Sequence, residues 1–176
     1  MAESAYPLFP HQPCRVWHRH RQQDIAELAA QNALPILPVY TLIERGPDIP
    51  LDAEEQHAGA MLCGALAMLD RERHFPVLPP LRHLPAQEPG QVFTLSAEAA
   101  WSLLEELLSS VAQSGFRRLL VFHANPLLSD GLDCGLRDAR IATGLTLYRI
   151  LIPESAEALT HLLREVYTDW PKESSL

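Results

Sequence analysis

Apolar residues recur along this chain in two rhythms, and the switches between them lay out the elements. Helical spacing over Arg21 to Asn32, with Ile25, Leu28 and Ala29 on one face, predicts a first helix. Glu54 to Arg71 predicts a second, whose small residues Ala58, Gly59, Ala60 and Gly64 suit close packing on a sheet or a partner helix. Ser96 to about Gln113 predicts a third, capped by Ser96 and stopped at Gly115. Asp133 to Ala142, ending at Gly144, and Ser155 to Tyr167 predict two more. Short apolar runs lie between them. Leu34 to Val39, Leu119 to Phe122, and Leu145 to Ile152 closed by Pro153 predict buried strands. Phe75 to Leu81 is extended and rich in proline, which suits an edge or a strand entry, and Leu84 to Gln91 predicts a loop. Alternating strands and helices predict an α/β layered fold, a mostly parallel sheet with helices on both faces. No internal repeat interrupts residues 1–176, which predict one domain with 1–13 and 171–176 as loose tails.

Chemistry in such a fold gathers beyond the carboxyl ends of the strands. There the run Leu37-Pro-Val-Tyr-Thr-Leu-Ile-Glu-Arg-Gly-Pro-Asp-Ile-Pro-Leu51 passes from strand through turn to helix and presents Ile43, Glu44, Arg45, Asp48 and Glu54. The strand after Gly115 and Phe116 ends in His123-Ala-Asn125.

These segments resemble the creatininase family, the metal-dependent amidohydrolases related to creatinine amidohydrolase. Its first motif runs close to Pro-x-Gly-Ser-x-Glu-Gln-His-Gly-x-His-x-Pro-x-x-x-Asp and falls here on Pro38 to Glu54, where Gly46, Pro47, Pro50 and Leu51 fit. Its second, Asn-Gly-His-Gly-x-Asn, falls on the end of Arg117 to Asn125. Phe75 to Leu81 resembles the family's proline-rich third element, and Pro89-Gly90 resembles its Phe-Pro-Gly-Thr. In order, the likeness covers roughly Arg21 to Pro153 and implies a creatininase-like fold.

The departures change what the likeness implies. The family's first-loop ligands, a Glu, a His and an Asp, have Ile43, Arg45 and Glu54 in their places; the second-loop ligands have Asn125 and Leu127. Nothing after Pro153 resembles the third family segment, His-Ala-Gly-x-x-Glu-Thr-Ser. Of the inherited positions only Glu54 keeps a full-strength donor, an isoleucine donates nothing, and an arginine cation opposes a divalent ion. The dinuclear site is therefore expected to be lost, with no metal and no cofactor. Glu44, Glu54, His57 and His123 offer a relocated mononuclear site, because His57 lies at i+3 from Glu54 on a helix. The plainer expectation is that these are solvated loop and helix-start residues, with Glu54 and Glu55 favoured by the helix dipole.

Composition narrows the partners. Net charge is −8 with 47% hydrophobic and 20% charged residues, and most of the cationic charge is on arginine. A globular domain fits these values, while nucleic acid, which needs a basic face, does not. No apolar run approaches a membrane span or a signal core, so a cytoplasmic place is expected. Cys14, Cys63 and Cys134 are too scattered for a disulfide framework. Cys63 is expected in the core, and Cys134 is a weak candidate thiol, because a helix start lowers a thiol pKa but the neighbouring carboxylates of Asp130 and Asp133 raise it. His11, Cys14, His18 and His20 are metal-ligand types without the downstream pair that zinc patterns need, so Trp17 is expected to pack and the histidines to be solvated. Trp101 and Trp170 are expected as core anchors.

Three functions fit. The first is a creatininase homologue that has lost its metal site and acts as a structural or regulatory subunit in a homo- or hetero-oligomer with another protein. The second is a hydrolase of C–N (amide) bonds, its metal relocated or its site completed by a partner, or working without metal. The third is a small-molecule binding module. The pocket residues expected in all three are Glu44, Arg45, Asp48, Glu54, His123 and Asn125.

Overall fold

A computed structural model describes residues 16–70 and 74–168. At its centre β4 (Arg118–His123) runs parallel between β1 (Ile36–Val39) and β5 (Thr146–Leu151). Every residue of β4 is buried, as expected of a strand covered on both faces. Its side chains alternate between two apolar clusters. Leu119 and Val121 join Leu37, Val39 and Leu147 beneath α3 (Ala97–Gln113) and α4 (Ser129–Thr143). Leu120 and Phe122 join Ile36 and Ile150 beneath α2 (Ala53–Ala67) and α5 (Ala156–Thr168). The layered α/β fold with a mostly parallel sheet and helices on both faces is the one the sequence predicts.

Beyond β1 the proline-rich segment follows its predicted edge role. Val77 bridges both Ile36 and Val16, and Leu81 bridges Val39. Pro38 has no N–H to give toward this side, and Pro79-Pro80 faces it, so the pairing stays at isolated bridges. α1 (Gln22–Ala30) rests Ile25, Leu28 and Ala29 on the first cluster, and Trp17 stacks on Phe116 with centroids 5.2 Å apart, as the packed Trp17 requires. The small stripe of α2 meets α5: a side chain at Gly64 would stand 3.3 Å from Cβ of Ala156.

Three boundaries differ from expectation. α2 stops at Ala67, short of Arg71, which lies outside the described residues, as do His11, Cys14, Trp170 and both expected tails. α4 begins at Ser129, four residues before Asp133, after a 3-10 turn over Pro126–Leu128. Its start was hidden by Gly131 and Gly135, which weaken a helical reading but have a packing reason. Both lie against the Trp101 ring, where an added Cβ would stand 3.0 Å from ring carbons. Finally, β2 (Leu42–Ile43) and β3 (Gln91–Val92) form an antiparallel ribbon across segments expected as turn and loop. Its strands are only two residues long, too short for an alternating pattern to show.

The Trp101 contact yields a test. Gly135→Ala gains roughly 1 kcal/mol of helix propensity, but overpacking against a fixed indole costs roughly 1–3 kcal/mol. Net destabilisation is expected in urea unfolding, and in a Trp101→Ala background the same substitution should stabilise. Stabilisation in both backgrounds would disprove the contact.

Candidate functional site

Three strand ends and the first turn of α2 meet at one edge of the sheet. Beyond β1, Thr41 is fully buried, and its backbone N–H donates to Glu54 Oε1 at 2.8 Å. The Thr41 hydroxyl lies 2.9 Å from both Glu54 carboxylate oxygens. Burial raises the Glu54 pKa, opposed by the Thr41 hydrogen bonds and the Arg45 charge. Beyond β4, Asn125 is buried, its side-chain Oδ1 accepts from Leu127 N–H, and its side-chain Nδ2 donates to Glu88 Oε1 at 3.1 Å. Arg45 Nη2 reaches the same Glu88 oxygen at 3.5 Å. Two donors from separate elements thus converge on one carboxylate oxygen.

Glu88 is held there by the ribbon. Glu44 N–H donates to the Gly90 carbonyl at 2.8 Å, and any Cβ at Gly90 would come within 2.9 Å of the Glu44 carbonyl oxygen. With φ at +83°, position 90 needs glycine on both counts.

A second network begins at His123. Arg149 Nη1 lies 3.1 Å from His123 Nε2, and a guanidinium can only donate. Nε2 must therefore accept, which puts the imidazole proton on Nδ1, where it donates to the Asn125 carbonyl at 3.0 Å. Burial lowers the His123 pKa and the Arg149 charge lowers it further. Arg149 is fixed from behind by a two-point pair with Asp133 at 2.6 and 3.0 Å and also donates to Ser129 Oγ.

The six residues expected at the pocket separate accordingly. Glu54, Asn125 and Arg45 belong to the first network and His123 opens the second, while Glu44 and Asp48 point into solvent. The expectation of solvated helix-start acids is corrected for two residues. Glu55 is buried in a pair with Arg82 at 2.6 Å, and Glu54 is half-buried. His123 is likewise buried, not solvated, because it closes a strand covered on both faces. Thr41, Glu88, Ser129, Asp133 and Arg149 were not singled out by sequence. Only the contacts across 13 to 84 positions bring them in, though Glu88 stands beside the Pro89-Gly90 already noted.

The donor set does not fit a metal. Among the described residues no three His, Cys, Asp or Glu side chains stand together so as to hold an ion, so Glu44, Glu54, His57 and His123 do not form the relocated site. His57 is exposed on α2, Glu54 is bound by Thr41, and the His123 lone pair faces a guanidinium. Cys63 is half-buried, its thiol pushed up to about 11 by burial, and Cys134 is exposed in the second turn of α4.

Two measurements check this geometry. At pH 7, imidazole 15N NMR should show His123 neutral and protonated on Nδ1, and Arg149→Gln should raise its pKa; an imidazolium at pH 7 would refute the assignment. A folded-state pKa below the ordinary 6.5 means that the His123 contribution to stability is present above pH 6.5 and lost as pH falls beneath it. Glu54 has the opposite sign, its contribution being present below 4.5 and lost as pH rises through its raised folded-state value. Thr41→Val should cost about 1–3 kcal/mol at neutral pH by stripping a half-buried carboxylate of its hydroxyl donor. The deficit should shrink in acid, where Glu54 is protonated, and a deficit independent of pH would assign the loss to packing.

No protein-family model matches the chain, and no curated protein sequence matches it. Solved structures do. A manganese form of creatininase is 16% identical with a TM-score of 0.61, over 78% of this chain and 58% of that one. Creatinine amidohydrolase (creatininase) is 17% identical at 0.60, over 78% and 57%. A creatininase mutant complexed with creatine is 18% identical at 0.59, over 78% and 57%. The chain thus spans less than three fifths of the length of these structures. At such identities the likeness speaks for architecture, and the chain has a creatininase-like fold.

Proposed function

We propose that this chain is a creatininase-like protein without amidohydrolase chemistry, a structural or regulatory subunit of an oligomeric or hetero-oligomeric assembly, with a cytoplasmic place. The observation that carries this reading is how its strand-end polar groups are used. Glu54 and His123, the strongest donors left at the old pocket, are both committed to partners within the chain. A general base needs a lone pair free to meet a substrate proton. At His123 that lone pair is held by Arg149, itself anchored to Asp133.

A small-molecule binding module is the second reading, and one specific observation favours it. Asn125 and Arg45 converge on the Glu88 carboxylate oxygen, so the pocket already cradles a carboxylate, although one supplied by the chain. Among the described residues, no helix is long and apolar enough to cross a membrane.

The test is turnover of creatinine and simple amides by untagged protein supplied with manganese or zinc, run beside affinity co-purification from the native source. No turnover and a stoichiometric protein partner, or a homo-oligomer, is the expected result. Metal-dependent turnover lost in Glu54→Gln would overturn the subunit reading. For the second reading, acetate or another small carboxylate should raise the melting temperature, and more so in Glu88→Gln, where the resident carboxylate no longer competes.

A further inference from the structure

Among the described residues no strand pairs with the outer edge of β5. Thr146 and Ile152 N–H donate toward β4, to Arg117 and His123 carbonyls, so the backbone groups of Leu147, Arg149 and Leu151 project away from it. Among the described residues the N–H and C=O of Arg149 and Leu151 have no hydrogen-bond partner, while the Leu147 carbonyl accepts from the Arg140 guanidinium. Such an edge is a template for another strand. Beside it, Leu151 is 37% exposed and Tyr148 lines an open cleft with Val166, Glu165 and Thr168.

We propose that this edge pairs antiparallel with the same edge of a second copy of the chain, about a two-fold axis at Ile150; the inference rests on the subunit reading and names its surface. The pattern of used and unused groups selects both the occupant and the register. With Ile150 opposite Ile150, Arg149 and Leu151 of the two copies exchange both backbone hydrogen bonds. Leu147 then lies opposite Pro153, which has no N–H to give, and the Leu147 carbonyl, already satisfied by Arg140, needs none. Side chains agree, since Tyr148 comes opposite Ile152, and Arg149 opposite Leu151, whose exposed side chain its stem covers. Centring the axis on Arg149 would set two guanidiniums face to face. Centring it on Tyr148 would make the Leu147 carbonyl serve a second donor. A self-complementary strand needs no other protein to satisfy it, as an isologous interface requires.

Sedimentation of the full 176-residue chain should give twice the 19.7 kDa chain mass. Leu151→Pro removes a donor that faces away from β4, so it should leave the circular dichroism intact while weakening the dimer by about tenfold or more. Independently of that variant's folding, Ile150→Cys in a chain whose three native cysteines are replaced by alanine should oxidise to a covalent dimer. Cα atoms about 4.5 Å apart in such a pair lie within disulfide reach. Thr146→Cys should not cross-link. An oligomer that ignores Leu151→Pro and forms no Ile150→Cys bridge overturns the edge pairing but leaves the subunit reading intact. A monomer at every concentration overturns the pairing as well, and co-purification then decides the subunit reading alone.

Discussion

β4 is buried along its whole length, yet it begins with an arginine and ends with a histidine. Neither polar group can reach bulk water, so each must be satisfied by the chain, and much of the rest of the structure is arranged around those two demands. At the start, Arg118 donates to the Asn32 and Tyr167 carbonyls and lies 4.6 Å from the Tyr167 ring centroid, tying the end of α5 to the turn before β1. At the finish, His123 donates its Nδ1–H to the Asn125 main-chain carbonyl and accepts a hydrogen bond from Arg149 at Nε2, tying β4 to β5 and α4. The apolar clusters supply most of the driving force for folding, but these two ends fix where the strand stops and how the following turn leaves it.

That constraint explains why His123 closes a strand end with neither ring nitrogen free. A buried imidazole with a guanidinium at one nitrogen and a carbonyl at the other has no face left for a ligand. Glu54 is different, being only half-buried and, among the described residues, hydrogen-bonded by Thr41. The lowered pKa of one group and the raised pKa of the other follow from the same cause, removal from water, acting on opposite charge types.

The fold was legible because it rests on periodicity. β4 and α3 stand close to their predicted bounds, the alternation of Leu119, Leu120, Val121 and Phe122 between two faces is written in the run itself, and the proline-rich edge could be placed from its missing donors. The site was only partly legible. Arg45, Glu54, His123 and Asn125 could be located because turn residues and a family-like framework flag them. Their partners carry no local signal: Arg149 lies in an otherwise ordinary strand, Thr41 in an apolar run, and Glu88 in a loop whose partner ribbon is four residues in all. Side-chain pairing across the sheet is set by register, which a single sequence does not state. Burial of Glu55 was missed for the same reason, since its partner Arg82 lies 27 positions away.

The two carboxylates at the pocket set its remaining balance. Glu54 and Glu88 repel, and the half-exposed Arg45 acts on both, by its charge on Glu54 and by contact with Glu88. A half-exposed guanidinium at 3.5 Å contributes little, because solvent screens it and its side chain loses entropy. Glu88 must therefore owe its position more to the Asn125 amide and to the Gly90–Glu44 backbone contact than to charge. A buried amide without an acceptor costs more than a weak ion pair gains, so Asn125 is the member of this group whose demand is strongest. On that ordering the ribbon of β2 and β3 serves to deliver an acceptor to Asn125.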